Sequence, residues 1–170
     1  MTITIKPMES PEEIAGKAYV HWKSWHETYD GLLPDAYQES ITPERCREIT
    51  LERYQEWEKS YQVETQVVLD DDAVVGFITY GKSREALPST AEIYLLYVLA
   101  DYQGRKIGYQ LMTTAIQDLQ GVSKVVLWVL VENSRSIDFY QHYGFRYDGQ
   151  EKMIELGEPV LTKRMILEIR

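Results

Sequence analysis

Cysteine is nearly missing from this chain: Cys46 stands alone among 170 residues. One thiol builds no internal disulfide framework, so a small secreted scaffold is excluded. Cys46 lies among Glu44, Arg45 and Arg47 in a charged helical stretch, which makes it a structural or surface residue rather than a nucleophile. No run of about 18 apolar residues occurs, so no membrane span is expected. The N-terminal stretch Met1-Thr2-Ile3-Thr4-Ile5-Lys6-Pro7 alternates like a strand and has no signal-peptide core. Together these absences fit a cytoplasmic protein. Histidine is scarce, and His21, His26 and His142 make no metal-ligand spacing with Cys46 or an acid cluster, so no metal is expected. There is no Gly-x-Gly-x-x-Gly, no Ser–His–Asp elbow and no P-loop lysine motif, which argues against a dinucleotide-binding fold. Positive charge is also short. Lys plus Arg number 18 against 27 Asp plus Glu, a net charge of −9. Nucleic acid is disfavoured, because phosphate neutralisation supplies its affinity, and cationic partners are mildly favoured.

What is present is enough chain for one domain, residues 1–170, with a proper core and no repeat or linker. Residues 2–7 predict a strand. Ser10-Pro11-Glu12-Glu13 is a helix start, and Ile14, Ala18, Trp22, Trp25 and Tyr29 mark one helical face, most simply core. A short helix is expected at 35–40 and a charged one at 45–60. Strands at 63–69 and 73–80 flank the turn Asp70-Asp71-Asp72. From residue 91 an almost unbroken apolar run reads as a buried central strand. A basic glycine-containing loop follows it, then an amphipathic helix from Ile107 ending at Gly121. A second apolar strand at 125–131, a helix from Asn133 to Gly144, and strands at 145–154 and 159–169 close the chain. The fold class is α/β, a mixed sheet of about seven strands with helices on both faces. A glycine loop that opens a helix points backbone N–H groups and the positive helix end at one place, which suits phosphate.

Gln103-Gly104-Arg105-Lys106-Ile107-Gly108 resembles the Q/R-x-x-G-x-G/A signature of the GNAT acetyltransferases. Asn133 to Phe145, an Asn-led helix with Phe139-Tyr140 and a closing Gly144-Phe145, resembles the family's second signature. The two flank an apolar strand, as in that family. Lys106 departs from the pattern, standing where the first glycine is expected. The resemblance implies acetyl-CoA as cosubstrate, its pyrophosphate cradled by Gln103, Gly104, Arg105, Lys106, Ile107 and Gly108. It implies a bulge in the central strand freeing the backbone of Leu96, Tyr97 and Val98, with Asn133 on the pantetheine arm. It also implies that Trp25, His26 and Tyr29 lie on the acceptor side.

Acetyl transfer to an amine must remove the amine's proton, hold the developing oxyanion and protonate the departing thiolate. A lysine-like amine has a pKa of ~10.4, so its neutral form costs about 4.6 kcal/mol at pH 7. Glu92, the acid within the central strand, is the candidate base, with His26, Glu27 and Tyr29 as rivals. Tyr140 matches the family's general acid. The expected activity is direct transfer from acetyl-CoA to a primary amine, on a small cationic molecule or a protein. The alternative is a non-catalytic CoA-binding sensor or partner module, which the departure at Lys106 keeps open. Monomer and homodimer both remain open; Trp57 and Tyr61 are candidate interface or core aromatics.

Overall fold

The elements follow in the order β1 (Ile3–Pro7), α1 (Pro11–Tyr29), α2 (Asp35–Ser40), α3 (Pro43–Ser60), β2 (Glu64–Asp70), β3 (Ala73–Lys82), β4 (Thr90–Val98), α4 (Ile107–Asp118), β5 (Lys124–Leu130), α5 (Ser134–Tyr143), β6 (Arg146–Glu155) and β7 (Pro159–Glu168). This computed structural model describes residues 2–60 and 62–169, the side chains of 56–60 excepted. The side chain of Trp57 and the whole of Tyr61 lie outside the described residues.

Each expected element forms, and local chemistry explains the ends. Ser10 Oγ accepts from Glu13 N at 3.1 Å while Glu13 Oε1 accepts from Ser10 N at 3.0 Å. This reciprocal box satisfies two orphan donors at the start of α1, an effect of about 1 kcal/mol. α4 stops at Asp118, short of Gly121, because Leu119 is already extended at ψ 126°. A turn of 3-10 helix at Ala100–Tyr102, which the apolar run does not announce, ends the central strand.

The seven strands form one sheet in the order β1-β2-β3-β4-β5-β7-β6. Among the described residues only β4 and β5 run parallel, and they pair over three positions, Thr90↔Lys124, Ala91↔Val125 and Glu92↔Val126. Beyond Glu92 the two strands part. On one face Val75, Ile78, Ile93, Val125 and Leu127 pack against Leu111, Met112 and Ala115 of α4 and Ile137 of α5. On the other, Val67, Val74 and Phe77 pack beneath Val20 of α1, with Tyr54 of α3 against them. Burying each large apolar side chain is worth about 1.5–3 kcal/mol.

The deep face of α1 differs from the apolar stripe. Lys17, Ala18, Val20, His21 and Ser24 are its buried residues, whereas Trp22 and Trp25 are half-buried. The Trp25 indole is drawn to a neighbouring helix, its Nε1 donating to Gln38 Oε1 of α2 at 2.8 Å, whereas Trp22 packs on Tyr19 and His26 of its own helix. Cys46 is buried. Among the described residues no helix is long and apolar enough to cross a membrane.

Gly76 of β3 has no room for a side chain. A Cβ there would lie 2.8 Å from Val68 Cγ1 and 3.0 Å from the Tyr97 carbonyl oxygen. Gly76→Ala is expected to destabilise the fold by about 1–3 kcal/mol, read as a lower denaturant midpoint at unchanged slope. His21 generates a pH prediction. Burial, with Lys17 and Arg53 nearby, pushes its imidazole down to about 3 from the usual 6.5. Between those values the unfolded chain binds a proton that the folded chain does not. Stability should therefore fall as pH drops from 6.5 toward 3. His21→Gln removes that contribution, and urea melts at a series of pH values read the difference in slope.

Candidate active site

The parting of β4 from β5 opens a cleft of about 490 Å³. Its floor follows from strand register. Leu99 N bonds to Val75 O at 2.9 Å, and β4 pairs with β3 as Phe77↔Tyr97 and Thr79↔Leu95. In an antiparallel ladder alternate residues bond the same neighbour. Residues 95, 97 and 99 thus spend their backbone groups on β3. Leu96 and Val98 turn theirs toward the space that β5 has left.

The expected bulge is in the central strand, but at Tyr94: Thr79 pairs with Leu95 and Tyr80 with Ile93, so Tyr94 of β4 is the extra residue, two positions before Leu96. Strand divergence exposes the backbone of Leu96 and Val98, and Tyr97 contributes its side chain rather than its backbone. One exposed carbonyl already has a partner: Gln103 Nε2 donates to Val98 O at 2.9 Å. The other end of that amide, Gln103 Oε1, is buried with no hydrogen-bond partner.

Two helices aim their N-termini at the cleft. Lys106 is the N-cap of α4 and adopts the left-handed conformation at φ 62°. Asn133 caps α5, its side chain accepting from Ser136 N at 3.2 Å. Gln103, Gly104, Lys106, Ile107, Gly108, Asn133 and Tyr140 all line the cleft with Leu96, Tyr97 and Val98. A Cβ on Gly108 would meet Phe139 at 3.4 Å, so that glycine keeps the helix start close to α5.

Tyr140 rests edge-on against Phe139 and Phe145, with ring centroids 5.5 and 5.8 Å away. Burial, reinforced by the nearby Tyr29 phenol, raises its pKa above the usual tyrosine range. It therefore holds its proton at neutral pH. Tyr29, in the last turn of α1, reaches polar contact with Tyr97 and Asn133, and burial raises its phenol too. The Tyr97 and Tyr140 phenols of the lining thus stay protonated, and Tyr29, expected on the acceptor side, touches Tyr97 from outside that lining.

Other expected residues lie elsewhere. Glu92 is 1 % exposed and does not line the cleft. It sits in the part of β4 still paired with β5, before the strands diverge. Arg84 grips its carboxylate, with Nη2 2.5 Å and Nε 3.1 Å from Oε2, and the Arg84 backbone N–H reaches Oε1 at 3.0 Å. Arg105 also lies outside the lining, 5.2 Å from the Tyr102 ring centroid. Trp25 and His26 join α1 to α2; the His26 ring meets Asp30 Oδ1 at 3.0 Å and the Ile41 carbonyl oxygen at 2.8 Å.

Sequence reasoning missed Arg135, Thr28 and Phe139, all in the lining. Arg135 was legible in the second signature, one residue inside the helix that Asn133 caps. With Lys106 it supplies the cations that line the cleft. Glu27, one of the rivals, is its acid and accepts from Ala100 N at 3.3 Å.

These features fit an anionic, extended ligand with a polar thread. Two helix N-termini and two cations suit phosphate. The outward backbone of Leu96 and Val98 and the orphaned Gln103 oxygen suit amide groups. Among the described residues no group of three or more His, Cys, Asp or Glu is arranged to hold a metal.

Comparison with known proteins agrees with this geometry. Residues 22–145 match the acetyltransferase (GNAT) family. An uncharacterized N-acetyltransferase, YuaI, of Bacillus subtilis is 31 % identical over 140 residues, covering 78 % of this chain and 74 % of its own. The spermidine N(1)-acetyltransferase of Thermoplasma acidophilum is 27 % identical over 161 residues, 91 % of this chain and 97 % of its own. The crystal structure of PaiA N-acetyltransferase from Thermoplasma acidophilum, in complex with coenzyme A, superposes with a TM-score of 0.74 at 23 % identity over 99 % of each chain.

The left-handed Lys106 carries a backbone cost that glycine avoids. Lys106→Gly is expected to raise stability by up to about 1 kcal/mol, measured as a higher urea midpoint.

Proposed function

The chain belongs to the acetyltransferase (GNAT) family, and from that premise we propose that it moves an acetyl group from acetyl-CoA to a primary amine by direct transfer within a ternary complex. The observation that carries this reading is the convergence, on one cleft, of the outward backbone of Leu96 and Val98, two helix N-termini and the protonated Tyr140. The acceptor is a primary amine on a small molecule or a protein; the spermidine enzyme among the relatives supports a small polyamine as the first trial acceptor.

Acetyl-CoA supplies an activated thioester. The chain's own groups do the rest. Lys106 and Arg135, with the N–H groups that open α4, bind the pyrophosphate. Asn133 and the Val98 backbone align the pantetheine arm. The Leu96 N–H holds the carbonyl oxygen as negative charge gathers there, a fixed donor in a partly dry site. Tyr140 gives its proton to the leaving sulfur. A phenol at ~10 facing a thiol at ~8.5 transfers uphill by about 2 kcal/mol. Its raised pKa makes the step steeper, and positioning offsets that. Glu92, clasped by Arg84 away from the cleft, serves this reading as a support of β4. Glu27, the acid in the lining, takes the amine's proton through water.

Tyr140→Phe keeps the ring and removes the proton. It should lower turnover by ~10²–10⁴-fold while acetyl-CoA still raises the melting temperature as in the parent. Glu27→Gln should show a defect that shrinks between pH 7 and pH 10, because the amine then arrives neutral. Thiol release with spermidine and other primary amines reads both. A pH-rescued defect in Glu92→Gln, with none in Glu27→Gln, would return the base to Glu92. No melting shift with saturating acetyl-CoA in the parent would overturn the reading.

A further inference from the structure

The parting of β4 and β5 that opens the cleft also leaves its two walls without a common ladder. One wall is β4, where Tyr97 stands between the outward backbones of Leu96 and Val98. The other begins at Asn133, whose N–H donates to Leu130 O at 3.0 Å and so ties it to the end of β5. The β4–β5 pairing ends at Glu92 and Val126, so it does not set the distance between these walls.

One side chain from outside the lining reaches both. The Tyr29 hydroxyl hydrogen-bonds the Asn133 side chain and the Tyr97 phenol. A hydroxyl with a partner on each side keeps the two within about 6 Å of each other. A phenol suits the task, since it both donates and accepts. Each member of the bridge is itself held. The Tyr29 ring lies 4.5 Å from that of Trp25, centroid to centroid, and Trp25 is fixed in turn by its bond to Gln38. The Tyr97 ring stacks on His21 at 5.6 Å and meets Phe77 at 5.8 Å. Asn133 is 7 % exposed, its Oδ1 accepting from Ser136 N to cap α5. Side chains locked in this way transmit a position instead of absorbing it.

We propose that Tyr29 is a positioning residue for the acetyl-transfer reaction: its hydroxyl spans the gap between the parted strands and holds the Asn133 amide and the Leu96–Val98 backbone at the separation through which the pantetheine arm threads. This rests on the reading of the cleft as the acetyl-CoA site. It moves Tyr29 from the acceptor, where the family resemblance puts it, to the walls around the cofactor. Tyr29 does not line the cleft; it acts through Asn133 and Tyr97. The nucleotide end of the cofactor is read by Lys106 and the opening of α4, so the effect is confined to the arm.

The test uses the whole chain and two ligands, measured by calorimetry. One is coenzyme A. The other is its nucleotide half, the phosphorylated adenosine diphosphate that lacks the arm. Tyr29→Phe keeps the ring against Trp25 and removes the hydroxyl. The dissociation constant of coenzyme A should rise by roughly three- to tenfold, the worth of one hydrogen bond, while that of the nucleotide half stays at the parent's value. Asn133→Ser keeps a cap on α5 and removes the amide; in that background Tyr29→Phe should add nothing further. Should Tyr29→Phe fail to fold, Trp25→Phe loosens the brace beneath the Tyr29 ring and should show the same selective loss. Equal loss for both ligands would mark a merely structural role. Unchanged coenzyme A affinity with a raised KM for the amine would return Tyr29 to the acceptor. Either result overturns the proposal. A parent that binds neither ligand overturns the acetyl-CoA reading, and this role with it.

Discussion

The site depends on where two parallel strands stop pairing. β4 and β5 hold together through Glu92 and Val126 and then part. Within a sheet every interior strand gives half its backbone groups to each neighbour. Once β5 leaves, Leu96 and Val98 carry groups that nothing in the sheet can satisfy. That local deficit leaves the cleft with polar backbone groups to offer a ligand. Gln103 meets one of the groups from the loop, and the rest face the space between the N-termini of α4 and α5. The Arg84–Glu92 pair sits at the last paired position, where the divergence begins.

Charge works locally against the average. The chain is strongly acidic, at −9, yet the cleft presents Lys106, Arg135 and two positive helix ends. Net charge governs the far field, which acts over a Debye length of about 10 Å. Contacts inside a cleft are set by the few groups that line it.

The expected residues that the fold brings to the cleft share a property: their placement rests on backbone direction or helix position. Gln103, Gly104, Lys106, Ile107 and Gly108 lead into a helix, and Asn133 caps one, so spacing alone aims them. The expected residues that lie elsewhere depend on which way a side chain points across the sheet. Glu92 has the right type and distance from Gln103, but its partner Arg84 is eight residues away across a loop. Trp25 and His26 lie on α1, as Glu27 and Thr28 of the lining do, but turn to α2. Arg105 and Arg135 show the same limit. Both are exposed cations near a helix start, and only the fold decides that Arg135 lines the cleft.

The sequence by itself determined the elements, the sheet's mixed character and the two signatures, because strand and helix periodicity and capping are properties of near neighbours in the chain. Tertiary structure decided the rest: the strand order that inserts β7 between β5 and β6, the length over which β4 and β5 pair, and the side chains that share a cavity. Those outcomes are set by contacts between residues far apart in sequence. Lys17 and Thr50, separated by 33 positions, meet only when α1 and α3 pack on the same face. No local pattern records that meeting, since its two partners come from different helices and share a buried environment only once both have packed.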